Sequence, residues 1–371
     1  MYKHYEKFKR TRPRPGFSVG AALIPALCLG FLLGTLMPSK KAEPEGDKPL
    51  LPLTPVKSAA AETPVPALPA ASASPYETVP PDPDEEGTVR LSSSVITVSI
   101  DGVPTVMELE EYLIGVVAAE MSSLSEPAAL EAQAVAARTF TALHMQGRAK
   151  CGSGCTVCDD IMCCQAYITA ADMKTAWGDK YKERFDKIRS AVMRTEGLVA
   201  VYEGRLISAL YHASSGPATE NSEEVFAVAQ PYLVSVDSRE GDAEMVSVQE
   251  FSVAEAVERI NAAFPQVDMK IPLNEKDFEV WGRSDSGRVQ LIRVGEGAVT
   301  GTALRMALGL KSTAFTVEFD DTTVRFTCLG YGHGVGMSQL GANEMAKQGA
   351  DFIEILEHYY TGIDIARLTY G

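Results

Sequence analysis

The chain has 371 residues, with 49 acidic side chains against 34 basic ones and a formal net charge of −15. That balance excludes a nucleic-acid binder built on a basic surface, since no basic patch follows the N-terminus. The length suffices for one or two domains, but the composition changes along the chain, and not all of it is of a foldable kind.

Residues 1–16 are a basic tail carrying Lys3, Lys7, Lys9, Arg10, Arg12 and Arg14. An uncharged apolar run from Phe17 to Met37 follows. At 1.5 Å per residue it spans about 30 Å, the thickness of a bilayer core, so 17–37 is predicted to be a transmembrane helix that tolerates Pro25. The run is long for a signal peptide and no small-x-small cleavage site follows, which favours an uncleaved anchor. Basic residues before the run place the N-terminus in the cytoplasm and everything beyond residue 38 outside it. Residues 38–88, rich in Pro, Ala, Glu, Ser and Asp, cannot bury enough surface to offset ordering entropy and read as a disordered tether.

The folded part runs from 89 to 371. Ile96–Ile100 and Val103–Val106, joined by Asp101-Gly102, form a predicted hairpin. In the helix that follows, Leu113, Val116, Val117 and Glu120 recur at i, i+3, i+4 and i+7, which puts a carboxylate on an apolar stripe. Lost hydration there raises its pKa and suits it to general-acid work, although a salt-bridged core glutamate would show the same pattern. A second helix is expected from Ser125 as N-cap through Leu143. Its Arg138 shares a side with Leu130, Ala134 and Ala137, to orient Glu120 or to meet a polar substrate. Further on, a helix near 181–195, a hairpin of 198–202 with 206–211, a Ser252 capping box, and strands at 289–294 and 315–326 are expected. Helices and hairpins interleave without a regular repeat, which predicts an α+β fold, a mixed sheet with packed helices.

Five cysteines crowd into Cys151, Cys155, Cys158, Cys163 and Cys164, with Cys328 distant. Outside the cytoplasm disulfides are the default, but close thiols also suit tetrahedral zinc, with His144 as a possible nitrogen donor. Two polar glycine-rich loops remain. One gathers His212, Ser214, Ser215 and Glu220; the other, Tyr331, His333, Ser338 and Gln339, precedes a helix ending near Tyr360. Their side chains suit sugar hydroxyls, and glycine lets backbone approach a ligand. A serine-nucleophile reading, Ser214 or Ser338 with His212 or His333, lacks a nucleophile elbow.

Together these blocks resemble the stage II sporulation protein D family. The resemblance rests on Tyr112–Met121, Leu130–Thr139, Cys158–Tyr167, His212–Asn221 and Gly330–Gly362, which occur in the family's order. It implies a membrane-anchored lytic transglycosylase that cuts denuded peptidoglycan glycan strands to 1,6-anhydro-muramic ends during sporulation engulfment. It makes Glu120 the catalytic acid, matches Arg138 to an arginine near the site, and matches Tyr232 to another substrate-binding motif. It implies structural zinc on Cys158 and Cys164, with Cys151 or else Cys155 as third ligand and His144 as a remoter choice, and gives Cys163 no role. The implied partners are glycan strands, a cell-wall amidase and a membrane anchor protein, at the septum between mother cell and forespore. Alternatives are a non-catalytic glycan-binding enhancer of an amidase, or a glycoside hydrolase using Glu220 as second carboxylate.

Overall fold

The computed structural model describes residues 87–226, 228–241 and 245–371. The expected basic tail, the 17–37 helix and nearly all of the tether lie outside the described residues. Among the described residues no helix is long and apolar enough to cross a membrane.

In chain order, β1 (Thr88–Leu91) precedes β2 (Val95–Ile100) and β3 (Val103–Glu108). The last two form the predicted hairpin, closed by Asp101 and Gly102 at φ of 49° and 82°. Two positive φ values in succession are what a tight turn matched to strand twist requires. Next come α1 (Leu109–Glu120), α2 (Pro127–Met145), β4 (Val157–Cys158), α3 (Ala170–Trp177) and α4 (Tyr181–Arg194). The short strands β5 (Leu198–Tyr202), β6 (Arg205–Leu206) and β7 (Tyr211–His212) lead to α5 (Ser222–Phe226). The chain then runs through β8 (Val246–Ser252), α6 (Val253–Ala263), β9 (Val280–Arg283), β10 (Val289–Val294), β11 (Gly297–Thr300), α7 (Gly301–Leu308), β12 (Ala314–Phe319) and β13 (Thr323–Leu329). It closes with β14 (Met337–Ser338), α8 (Gln339–Lys347), α9 (Phe352–Tyr359) and β15 (Asp364–Tyr370).

The α+β expectation holds, with the strands divided among several small sheets. Parallel pairs (β1 with β15, β2 with β4, β7 with β14) stand beside antiparallel ones, so the pairing is mixed. The stretch β8–β13 builds its own core with α6 and α7, where Phe326 meets Phe251, Phe278 and Phe315 edge-on. The other elements share a first core around α2, nearly all of whose residues are buried. Only a helix rich in alanine can be surrounded on every side at close range, which is what its small side chains provide.

Arg138 sits inside that first core, with none of its side chain exposed. Its guanidinium forks onto Glu110 at 2.8 and 2.6 Å and donates to the carbonyls of Leu198 and Val192, each at 3.1 Å. The expectation that it reaches Glu120 or substrate is therefore corrected. Glu110 lies ten residues before Glu120, about 15 Å along α1, and every face of the guanidinium is committed. Other differences are local. The second helix starts at Pro127 with Glu126 as N-cap, because Pro at the first helical position needs no amide partner. The 315–326 run is a hairpin rather than one strand, and α8 and α9 replace one long helix.

Removing Arg138 leaves a buried carboxylate with its partner gone. Arg138→Ala should destabilise the protein by about 3–5 kcal/mol in a denaturant titration. A change below about 1 kcal/mol would show the pair to be peripheral.

Candidate active site

Glu120 ends α1 and remains half-buried, without a cation beside it. Its Oε1 accepts from the Ala166 amide at 2.8 Å, and its Oε2 from the Gln339 side-chain amide at 3.4 Å. Gln339 also donates to the Gln133 carbonyl oxygen at 3.3 Å. Tyr211 lies against the carboxyl and donates its proton to Gln165 at 2.8 Å. Desolvation dominates over the hydrogen-bonding neighbours Ala166, Gln339 and Tyr211 and raises the carboxyl to about 7. Among the described residues no second carboxylate shares this hydrogen-bonded group.

The loop bearing Gln165 and Ala166 reaches Glu120 because Gly115, in mid-helix, has no side chain. A Cβ there would lie 2.2 Å from the Tyr167 ring, and the Ile168 amide bonds the Gly115 carbonyl at 3.3 Å. Tyr167 instead stacks on Tyr112, with ring centroids 5.5 Å apart.

The same loop carries the cysteines. Cys151, Cys158, Cys163 and Cys164 place their Sγ atoms within 4.8 Å of one another, at 3.7 Å for Cys151–Cys163 and 3.8 Å for Cys163–Cys164. Four thiolates about 2.3 Å from a tetrahedral zinc would stand about 3.8 Å apart, so the spacing and the soft donors fit that metal. Cys163, which the sequence left without a role, completes the set. The turn explains it: the amides of Cys163 and Cys164 both bond the Asp160 carbonyl, which folds adjacent residues back onto Cys158. His144 is not a donor here; it bonds the Phe140 carbonyl and packs on that ring. Cys155 lies outside the cluster, and Cys328 fills the second core. Burial pushes the Cys158 thiol up to about 12, so a metal entering this group must displace protons.

Of the two glycine-rich loops, only Tyr211 and Gln339 face Glu120. Side chains alternate along a strand, so His212 points away from the face that carries Tyr211. His212 donates from Nδ1 to the Val335 carbonyl at 3.1 Å, which leaves Nε2 to accept the Ser215 hydroxyl. Burial, then the His333 and Arg288 charges, hold His212 far below its usual pKa. Its orienting group is thus a carbonyl, and Ser215 is 1 % exposed, so the pair is a buried bond rather than a nucleophile. Ser214 and Ser338 both donate to Glu240, at 2.5 and 2.6 Å, and so neither is the expected nucleophile. Glu240 also takes the Ser215 and Gly216 amides and ties the two loops together.

Glu220 accepts from Ser284, Ser286 and the Asn221 amide and is 1 % exposed. Its carboxylate is used in joining the first core to the segment before β10, which corrects the reading of Glu220 as a second catalytic carboxylate. Arg288 reinforces that seam by donating to the Ser215 and Ala218 carbonyls. His333 packs against His212 and Phe226 and is lowered to about 4 by burial, with Arg305 and Arg288 adding to the effect. Tyr331 lies under Lys311, with the ammonium 4.8 Å from its ring centre. Tyr232 accepts from the Ser208 amide at 3.0 Å and packs against Tyr202. The structure therefore splits the expected binding residues into a small group at Glu120 and a larger one holding the loops and seam. Sequence reasoning missed Gln133, Gln165, Tyr211 and Glu240, which carry no motif of their own. Gln133 and Gln165 lie inside recognised blocks, Leu130–Thr139 and Cys158–Tyr167, and Tyr211 immediately precedes another.

Glu120 is thus a half-buried carboxyl among uncharged polar groups, in a fold of packed helices and small mixed sheets. A family model described as Stage II sporulation protein matches residues 102–202. Stage II sporulation protein D of Bacillus amyloliquefaciens is 35% identical over 274 residues, covering 72% of this chain and 76% of that one. The protein of the same name in Bacillus subtilis is 32% identical, covering 76% and 83%. An amidase enhancer of Bacillus subtilis is 29% identical over 67% of this chain and 39% of its own length. The chain belongs to the stage II sporulation protein D family.

Glu120 binds a proton more tightly when folded, at about 7 against 4.5 for a free glutamate. Between those values the folded state holds more protons than the unfolded one, so its contribution is full below 4.5 and lost as pH rises through 7. Melting temperature should therefore fall more steeply from pH 4.5 to 7 in the parent than in Glu120→Gln. Parallel curves would show that burial does not perturb this carboxyl.

Proposed function

We propose that the chain is a membrane-anchored lytic transglycosylase that cleaves denuded peptidoglycan glycan strands. The observation that carries the reading is a single carboxyl of raised pKa in an uncharged setting, with no second carboxylate in its hydrogen-bonded group. A hydrolase needs a second carboxylate to serve as nucleophile or to activate water. A transglycosylase does not. Glu120 gives its proton to the glycosidic oxygen as the C1–O bond breaks. The muramic C6 hydroxyl then attacks C1, and its proton returns to the Glu120 carboxylate. The products are a 1,6-anhydro end and a free hydroxyl, with no water consumed. With a pKa about 7, the carboxyl is about half protonated at neutrality, so it can both give a proton and accept one afterwards.

Zinc on Cys151, Cys158, Cys163 and Cys164 would hold the loop that delivers the Ala166 amide and the Gln165 side chain to Glu120. Its part in this reading is structural. Anchoring by 17–37 and action beside an amidase at the engulfing septum belong to the same reading, supported by the family membership and the sequence pattern. A relative named as an amidase enhancer favours a second reading, in which the domain binds glycan and stimulates an amidase without cutting.

The full chain, incubated with amidase-stripped strands, should release fragments one water lighter than hydrolysis gives, and Glu120→Gln should abolish them. Amidase stimulation without glycan products, unchanged in Glu120→Gln, would favour the enhancer. Metal analysis of the purified chain should find about one zinc per molecule. Cys163→Ser should weaken its retention against a chelator; full retention would restore a three-cysteine site.

A further inference from the structure

The polar groups behind Glu120 form a chain whose hydrogen-bond direction can be traced from its far end. The Thr141 hydroxyl donates to the Ala137 carbonyl at 2.8 Å, an acceptor that cannot reverse. Its oxygen therefore receives the Gln165 amide nitrogen at 3.0 Å. A glutamine side chain presents nitrogen on one side and oxygen on the other, so Oε1 of Gln165 faces Tyr211 and accepts its phenolic proton at 2.8 Å. The Tyr211 oxygen then has only lone pairs left to present. They face the Glu120 carboxyl and the amide nitrogen of Gln133, which is buried and has no partner in this arrangement.

We propose that Tyr211 is a positioning residue that accepts a hydrogen bond from the protonated Glu120 carboxyl, its own proton being committed to Gln165. Thr141, Gln165 and Tyr211 thereby select the acid form of Glu120 and hold its O–H in one direction until a glycosidic oxygen competes for it. A phenol donating to the carboxylate would lower its pKa, as the Ala166 and Gln339 amides do, and Tyr211 is near enough to act that way; the bond to Gln165 takes that proton out of reach of Glu120. The surroundings allow the effect to be read cleanly. From its own helix the carboxyl is faced by Tyr112, from β7 by Tyr211, from α8 by the Gln339 amide, and from the loop by the Ala166 amide, with Gln133 of α2 behind Gln339 and Tyr211. Among the described residues no charged side chain enters this group.

This inference rests on Glu120 acting as the acid, but its test does not require turnover. Infrared spectra of the full-length chain, recorded across pH without substrate, report the carboxylic C=O band of Glu120, identified by its loss in Glu120→Gln. Tyr211→Phe keeps the ring and removes the acceptor. Its midpoint should fall by about half a pH unit to one unit, the equivalent of one hydrogen bond. A midpoint that rises would show that Tyr211 donates to the carboxylate, and an unchanged one that it does not engage it; either overturns the proposal. Thr141→Val keeps the shape at the far end of the chain, releases the Gln165 amide and frees the Tyr211 proton to turn toward Glu120. It should lower the midpoint as well, and no shift would overturn the assigned direction. A midpoint that moves as expected in a protein that cuts no glycan would leave this bond standing and remove the transglycosylase reading.

Discussion

The rest of the first core depends on one buried ion pair, Arg138 with Glu110. The fork joins α2 to the first turn of α1, and the remaining donors of Arg138 reach α4 and the start of β5. The Gly197 amide closes the group onto the Glu110 carboxylate. Such a pair adds little net stability over well-packed apolar residues, since both ions lose hydration, but it admits only one arrangement of its partners. With one end of α1 fixed in this way, the other end delivers Glu120 to a set position.

At that other end the chemistry is reversed. Charge is absent, and amides and phenols surround the carboxyl. An arginine there would hold the carboxylate ionised and remove the acid function; desolvation without a cation does the opposite. The same helix therefore carries a glutamate paired with arginine for structure and another kept from any cation, as the proposed acid role requires. The cysteine loop belongs to the second of these. Its turn at Asp160 brings four thiols together, and two residues beyond Cys164 its backbone amide bonds Glu120. The thiol cluster and the Glu120 carboxyl are thus linked by a few bonds of the same loop.

Glu240 organises the remainder. By taking both loop serines and two backbone amides it converts two glycine-rich stretches into one rigid element. Residues that look in sequence like sugar ligands or nucleophiles are in fact used up in that construction. The glycines permit it: a Cβ at Gly334 would strike the Arg288 guanidinium, and one at Gly336 the Leu210 carbonyl. What passes for a binding loop by composition is largely a seam between two cores.

The sequence by itself determined the local features. The Asp101-Gly102 hairpin, α1 with Glu120 on its apolar stripe, the cysteine cluster and the family blocks were all legible, because turn chemistry and helical period are written within about ten neighbouring residues. Only the tertiary structure decided that Arg138 serves Glu110, that Cys163 joins the other three thiols, and that Glu220 and Glu240 are structural. It alone placed Tyr211 and Gln339, and not His212 and Ser338, at the acid. Those outcomes depend on contacts between residues 12 to 219 positions apart. A polar side chain looks alike in sequence whether it faces a substrate or a buried partner, and which it faces is set by the packing that brings distant segments together.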